Sequence, residues 1–108
     1  MKKLRVAANP VLRAVKARLH ETLGNNVQQV ILFGSRSRNE AKKDSDYDLL
    51  VLVGRRTPDM EDQVDALAYE MLARYSAVVT IFVEETATYD RTLHEPLFCN
   101  IRLEGAVL

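Results

Sequence analysis

Five consecutive apolar residues, Leu49-Leu50-Val51-Leu52-Val53, follow directly on Asp46-Tyr47-Asp48. Side chains alternate between the two faces of a strand, so a run with no polar member must be covered on at least part of both faces. A chain holding such a strand needs packed layers on either side of a sheet, and the flanking segments offer them.

Asn9 is placed to cap a helix that begins at Pro10, where proline's missing N–H costs nothing. Leu12, Val15, Leu19 and Leu23 recur at helical spacing, and Gly24-Asn25-Asn26 ends the helix. Val27 to Phe33 reads as a strand, Gly34 to Ser45 as a polar, basic loop, and Asp46 to Val53 as the second strand. After a turn at 54–57, Thr57 and Pro58 predict the start of another helix, with Val64, Leu67, Ala68, Met71, Leu72 and Tyr75 turned inward. Ala77 to Val83 predicts a third strand, and Thr86 the cap of a short helix to about Leu93. Pro96 opens a last helix that stops near Gly105, with a short edge strand at Ala106-Val107-Leu108. The expected fold class is therefore α/β (α+β): a small mixed β-sheet with helices packed on it.

The 108 residues suit one domain spanning 1–108. Charged residues make up 28% and the formal net charge is +0, which removes any global pull towards nucleic acid or a membrane surface. No apolar run approaches the roughly 20 residues that span a bilayer. The basic start, Met1-Lys2-Lys3-Leu4-Arg5-Val6, lacks the apolar stretch of a signal peptide, so a cytoplasmic location is expected. Cys99 is the single cysteine, which leaves no internal disulfide and suggests a small buried side chain. His20 and His94 have no clustered partner of zinc-ligand type.

The chemistry concentrates between the first two strands. Asp46 and Asp48 fall on one face of a strand, with Tyr47 packing on the other. Their Cα atoms would stand roughly 6.6 Å apart in extended chain. Two carboxylates so close repel unless a cation lies between them, and Mg2+, a hard cation often shared between carboxylates and substrate phosphates, is the natural occupant. Ten residues separate Ser35 from Asp46; before that interval, Gly34 allows close backbone approach and Ser35 supplies a hydroxyl and an N–H for a phosphate oxygen. Arg36 and Arg38 can add bidentate phosphate contacts, and with Lys42 and Lys43 they form a basic cluster. The bland alternatives are a solvated acidic pair at a strand entrance, a turn Gly-Ser and an ordinary basic loop.

Gly34-Ser35, ten residues, then Asp46-Tyr47-Asp48 resembles the signature of the polymerase-beta-like nucleotidyltransferase superfamily. The longer stretches Phe33 to Arg38 and Ser45 to Leu49 are similar to its minimal, stand-alone branch, whose members often act as antitoxins of HEPN-type toxins. The resemblance implies that Gly34, Ser35 and Arg36 bind the nucleotide, ATP or another NTP. Asp46 and Asp48 would be catalytic and hold one or two Mg2+ ions. AMP would pass to a hydroxyl of a HEPN-type helical partner protein. A homo-oligomer could also complete so small a cleft; neither a membrane nor a nucleic acid is expected as a partner.

One position departs from the pattern. The family usually supplies a third carboxylate from the third strand, and here the matching residue is Thr80. Glu84 shares its face but lies roughly 13 Å further along, within reach only if the strand bulges. The rival reading is a catalytically weakened module of the same fold that binds nucleotide or a partner.

Overall fold

The computed structural model describes residues 2–5, 8–37 and 46–108. Among the described residues, five strands form one mixed sheet in the order β1-β5-β2-β3-β4. Their ranges are β1 Lys2–Lys3, β2 Val27–Phe33, β3 Tyr47–Val53, β4 Val79–Glu85 and β5 Ala106–Val107. Helices α1 Pro10–Leu23, α2 Met60–Tyr75, α3 Thr86–Arg91 and α4 Pro96–Glu104 complete the fold, with a 3-10 turn at Gly24–Asn26 after α1.

The apolar run of β3 is buried on both faces, as its composition demands. Tyr47, Leu49, Val51 and Val53 join Leu12, Val15 and Leu19 of α1 and Val64, Leu67 and Met71 of α2 in the larger core. Leu50 and Leu52 face the other way, into a smaller core with Ile31, Tyr89 of α3 and Ile101 of α4. β3 runs antiparallel to β2 and parallel to β4, so it is flanked by long strands on both sides.

Asn9 caps α1 as expected: its Oδ1 accepts from the N–H groups of Val11 and Leu12 at 2.9 and 3.1 Å. Its amide also donates to the Tyr47 hydroxyl at 3.1 Å, tying the helix start to the start of β3.

Several boundaries differ from the sequence expectation. α2 begins at Met60, not Pro58, because Thr57 to Met60 closes a turn of its own: the Met60 N–H donates to the Thr57 carbonyl. The Thr57 hydroxyl is spent on Asp59 Oδ1. β4 starts at Val79, two residues late, because Ser76 adopts a left-handed conformation with φ 52°. The N–H groups of Ser76 and Ala77 turn back to the carbonyls of Leu72 and Met71, closing the helix end. Thr86 is the first residue of α3 and not its cap. Leu72 and Tyr75 are exposed and so lie outside the inward stripe, and Cys99 is exposed on α4. Ala106-Val107 is no edge strand: it lies between β2 and β1, pairing antiparallel with the first and parallel with the second. β1, two lysines, was not foreseen. Among the described residues no helix is long and apolar enough to cross a membrane.

Asn9→Ala removes both the cap and the partner of the Tyr47 hydroxyl. Urea denaturation of this variant is expected to show a loss of about 1–2 kcal/mol, read as a lower midpoint at unchanged slope.

Candidate nucleotide and metal site

The site forms where β2 ends and β3 begins. Antiparallel register sets Phe33 opposite Asp48, so the residue after β2 reaches the first carboxylate of β3. That residue is Gly34, at φ +76°, in the left-handed region that favours glycine. A Cβ built on it would lie 2.5 Å from Asp48 Oδ2. Glycine is thus required twice, for its dihedral and for the carboxylate lying against it.

The turn after Gly34 is held by a residue that sequence reasoning missed. The N–H of Ser37 donates to the Gly34 carbonyl at 3.2 Å, and its hydroxyl donates to the same oxygen at 2.8 Å. Ser37 is buried, at 3% exposed. Its signal was available: a serine three residues after a glycine closes such a turn with both groups. Ser35 and Arg36 form the corner of this turn, both partly buried. The expected phosphate contacts of Arg38, and the basic positions Lys42 and Lys43, lie outside the described residues.

Asp46 is exposed and immediately precedes β3; Asp48 is partly buried within it. Burial first, and the Asp46 charge second, push the Asp48 carboxyl above the usual aspartate range. Tyr47 points away from this face, as foreseen, and is buried. The Arg36 guanidinium stacks on the Tyr47 ring, 3.8 Å from its centroid. Arg36 therefore rests on the α1 side of the sheet, beside a cavity of about 290 Å³ that Arg5, Asn9 and Tyr47 also line. Gly34, Asp46 and Asp48 are brought together; the Arg36 side chain is not part of that cluster in this conformation.

Thr80 stands directly across from Asp48 in the parallel β3–β4 register. That register runs unbroken from Tyr47↔Val79 to Val53↔Glu85, so no bulge draws Glu84 back towards Asp48. Glu84 instead faces Leu52, and its Oε1 accepts from the Glu85 N–H at 2.9 Å. Among the described residues no group of three or more His, Cys, Asp or Glu side chains could hold a metal ion. Two carboxylates remain, one of them disfavoured as an anion by burial and by its neighbour. That donor set fits a hard divalent cation that is also held by substrate phosphates, since such a cation needs few protein ligands and relieves this repulsion.

A model of the nucleotidyltransferase domain family matches residues 12–103. The chain belongs to the nucleotidyltransferase family. A protein of Methanocaldococcus jannaschii that carries the provisional name of protein adenylyltransferase is 31% identical over 83 residues, 76% of this chain and 78% of that protein. The fold is that of a chain in a toxin–antitoxin crystal structure with AMP-PNP, with a TM-score of 0.62 and 17% identity over 88% of this chain and 69% of that one. A chain from the complex of a tri-AMPylated Shewanella oneidensis HEPN toxin with its MNT antitoxin also matches. There the TM-score is 0.54 and the identity 17%, over 92% of this chain and 66% of that one.

The raised Asp48 pKa has a stability consequence. Between the unfolded and the folded pKa the native state binds more protons than the unfolded state, so stability falls as pH rises through that window. Without metal, Asp48→Asn should unfold at a higher temperature than the parent at neutral pH. The gap should close as pH drops below the ordinary aspartate range, and calorimetric melting across pH measures both effects.

Proposed function

We propose that this nucleotidyltransferase moves AMP from ATP to a hydroxyl of a partner protein, a HEPN-type helical toxin, and so acts as an antitoxin. The observation that carries this reading is the Gly34 backbone lying against the Asp48 carboxylate, with Asp46 beside it. This is where a triphosphate and a hard cation can share one set of ligands. The 31% identity to the M. jannaschii protein supports the adenylyl group, and the fold shared with antitoxin complexes supports the class of partner.

In this reading Gly34 and Ser35 bind phosphate oxygens, Ser35 by hydroxyl and N–H, while Asp46 and Asp48 hold Mg2+. Arg36 reaches the phosphates by leaving Tyr47, a change of side-chain rotamer. Bound Mg2+ would supply charge neutralisation on the triphosphate and on the oxygens that enter and leave. The acceptor hydroxyl oxygen forms a bond to the α-phosphorus. The bond from that phosphorus to the bridging oxygen breaks, pyrophosphate leaves, and the hydroxyl proton passes to solvent. Thr80 has no basic group, so the chain contributes positioning and charge more than proton abstraction at that point.

Thr80 opposite Asp48 favours a second reading, a binding module of the same fold with weak turnover. α-Labelled ATP, Mg2+ and a HEPN-type partner protein separate the two. Label should appear on that protein with the parent chain and fall by at least about a hundredfold with Asp48→Asn. A stable complex that acquires no label would sink the transfer reaction and leave the binding module.

Gly34→Ala tests the site without touching an acid. The added methyl displaces the Asp48 carboxylate, so calorimetric Mg-ATP affinity should fall roughly tenfold or more while circular dichroism stays native. Unchanged affinity would mean that the triphosphate binds elsewhere.

A further inference from the structure

β4 closes one side of the sheet, and among the described residues no strand pairs with its outer edge. Strands at an edge are usually blunted by proline, lysine or a bulge. β4 reads Val-Thr-Ile-Phe-Val-Glu-Glu, runs seven residues and holds unbroken register with β3. The Tyr47 N–H donates to the Val78 carbonyl, which sets the parity of the ladder. In a parallel pair the N–H and C=O groups of Thr80, Phe82 and Glu84 then point to β3. Those of Val79, Ile81, Val83 and Glu85 point outwards. Apolar side chains flank this edge: Phe82 is 44% and Val78 49% exposed, and Leu97 of α4, 48% exposed, lines one groove with Phe82.

We infer that a second copy of this chain pairs with β4 in antiparallel fashion, and that each copy's Glu84 enters the other's site. The register follows from the strand itself. Outward groups must meet outward groups, so an odd-numbered residue faces an odd-numbered one. Full overlap of the seven residues then pairs Val79 with Glu85, Thr80 with Glu84, Ile81 with Val83, and Phe82 with its own copy. A shift of two positions in either direction leaves two residues of each strand unpaired. The pairing is its own mirror under a two-fold axis, as a closed dimer requires.

Residues directly opposite in an antiparallel pair share a face. Thr80 shares its face with Asp48, so the second copy's Glu84 arrives on the face of the two aspartates. Thr80 and that Glu84 form a non-hydrogen-bonded pair, with Cα atoms about 4.5 Å apart. A glutamate side chain can extend from there past the short threonine towards Asp48. Within one chain the Glu84 carboxylate accepts from the Glu85 N–H, which is an outward group. In the dimer the Val79 carbonyl of the other copy takes that N–H, and the carboxylate is released. The site then holds three carboxylates, Asp46 and Asp48 from one chain and Glu84 from the other, which can hold a divalent cation even before phosphates bind. This role for Glu84 rests on the reading of the two aspartates as a metal site; the edge pairing does not.

The interface is tested by cross-linking. In a Cys99→Ser background, Phe82→Cys places two thiols across the two-fold axis within disulfide range. Mild oxidation should give a covalent dimer, whereas Tyr69→Cys, exposed on α2, should not. Sedimentation should show a dimer that Phe82→Glu converts to monomer by setting like charges face to face. A chain that is monomeric at all concentrations, with Phe82→Cys uncross-linked, overturns the proposal and leaves the edge to a different protein.

Glu84 is tested by Mn2+ affinity, which needs no turnover. Glu84→Gln keeps an acceptor for the Glu85 N–H, yet its homodimer should bind Mn2+ roughly tenfold more weakly than the parent. A heterodimer of one Glu84→Gln chain and one Asp48→Asn chain, isolated through two different tags, holds one intact site. It should bind one Mn2+ per two chains with parental affinity. Failure to recover that affinity overturns the contribution of Glu84 across the interface. Failure of the parent itself to bind Mn2+ overturns the metal reading of Asp46 and Asp48, and with it the role of Glu84, while the cross-linking result stands by itself.

Discussion

The contact between Gly34 and the Asp48 carboxylate is the constraint on which the site depends. It exists because β2 and β3 pair so that the last residue of one strand faces the first carboxylate of the other. The chain leaves the sheet at Gly34 and returns at Asp46, yet Gly34 lies against the Asp48 carboxylate. A side chain at position 34 would have to displace the carboxylate. Ser37 then fixes the Gly34 carbonyl with two donors, so the turn cannot drift from the strand end. Pairing, turn and carboxylate together form a shallow anionic end to an otherwise apolar sheet.

β3 makes this arrangement affordable. It is buried on both faces by two pairs of helices, and a strand so placed has one available register. Alternation then divides the neighbours of Asp48. Tyr47 goes to the α1–α2 side, where Asn9 binds its hydroxyl and Arg36 covers its ring. Asp48 goes to the opposite side with Thr80 and Phe82 of β4, where solvent can still reach it. The partial burial that raises its pKa is a local cost, and the apolar run beginning one residue later offsets it.

Much of this was legible because it is local and periodic. The doubly buried run, the alternation of Asp46, Tyr47 and Asp48, and the Asn9 cap each need only a few neighbouring residues. What escaped depends on pairings distant in sequence or on side chains with more than one use. β1 is two residues long and shows no period; it exists because β5, which Ile31 and Leu32 hold inside the sheet and not at its edge, offers it a partner. Thr57-Pro58 resembles a helix start, but the hydroxyl closes a turn with Asp59 instead. Ser76 carries no glycine signal, yet it takes the left-handed conformation that ends α2, and so delays β4 by two residues. Leu72 and Tyr75 match the helical period and still lie exposed, because Val64, Leu67 and Met71 alone form the buried stripe of α2 beyond its first turn.

Thr80 looks like a missing part when one chain is considered alone, but electrostatics gives it a reason. Position 80 is in direct register with Asp48, which is already disfavoured as an anion by burial and by Asp46. A carboxylate there would add a second like charge to the same group in every folded chain, with or without metal. Threonine avoids that penalty and suits a strand. An acid four residues on, held in its own chain by the Glu85 N–H, brings its charge to the aspartates only when another strand takes that N–H. The third charge then arrives with assembly, when a cation and a triphosphate can balance it. The isolated chain keeps a site with two acids and a more stable sheet.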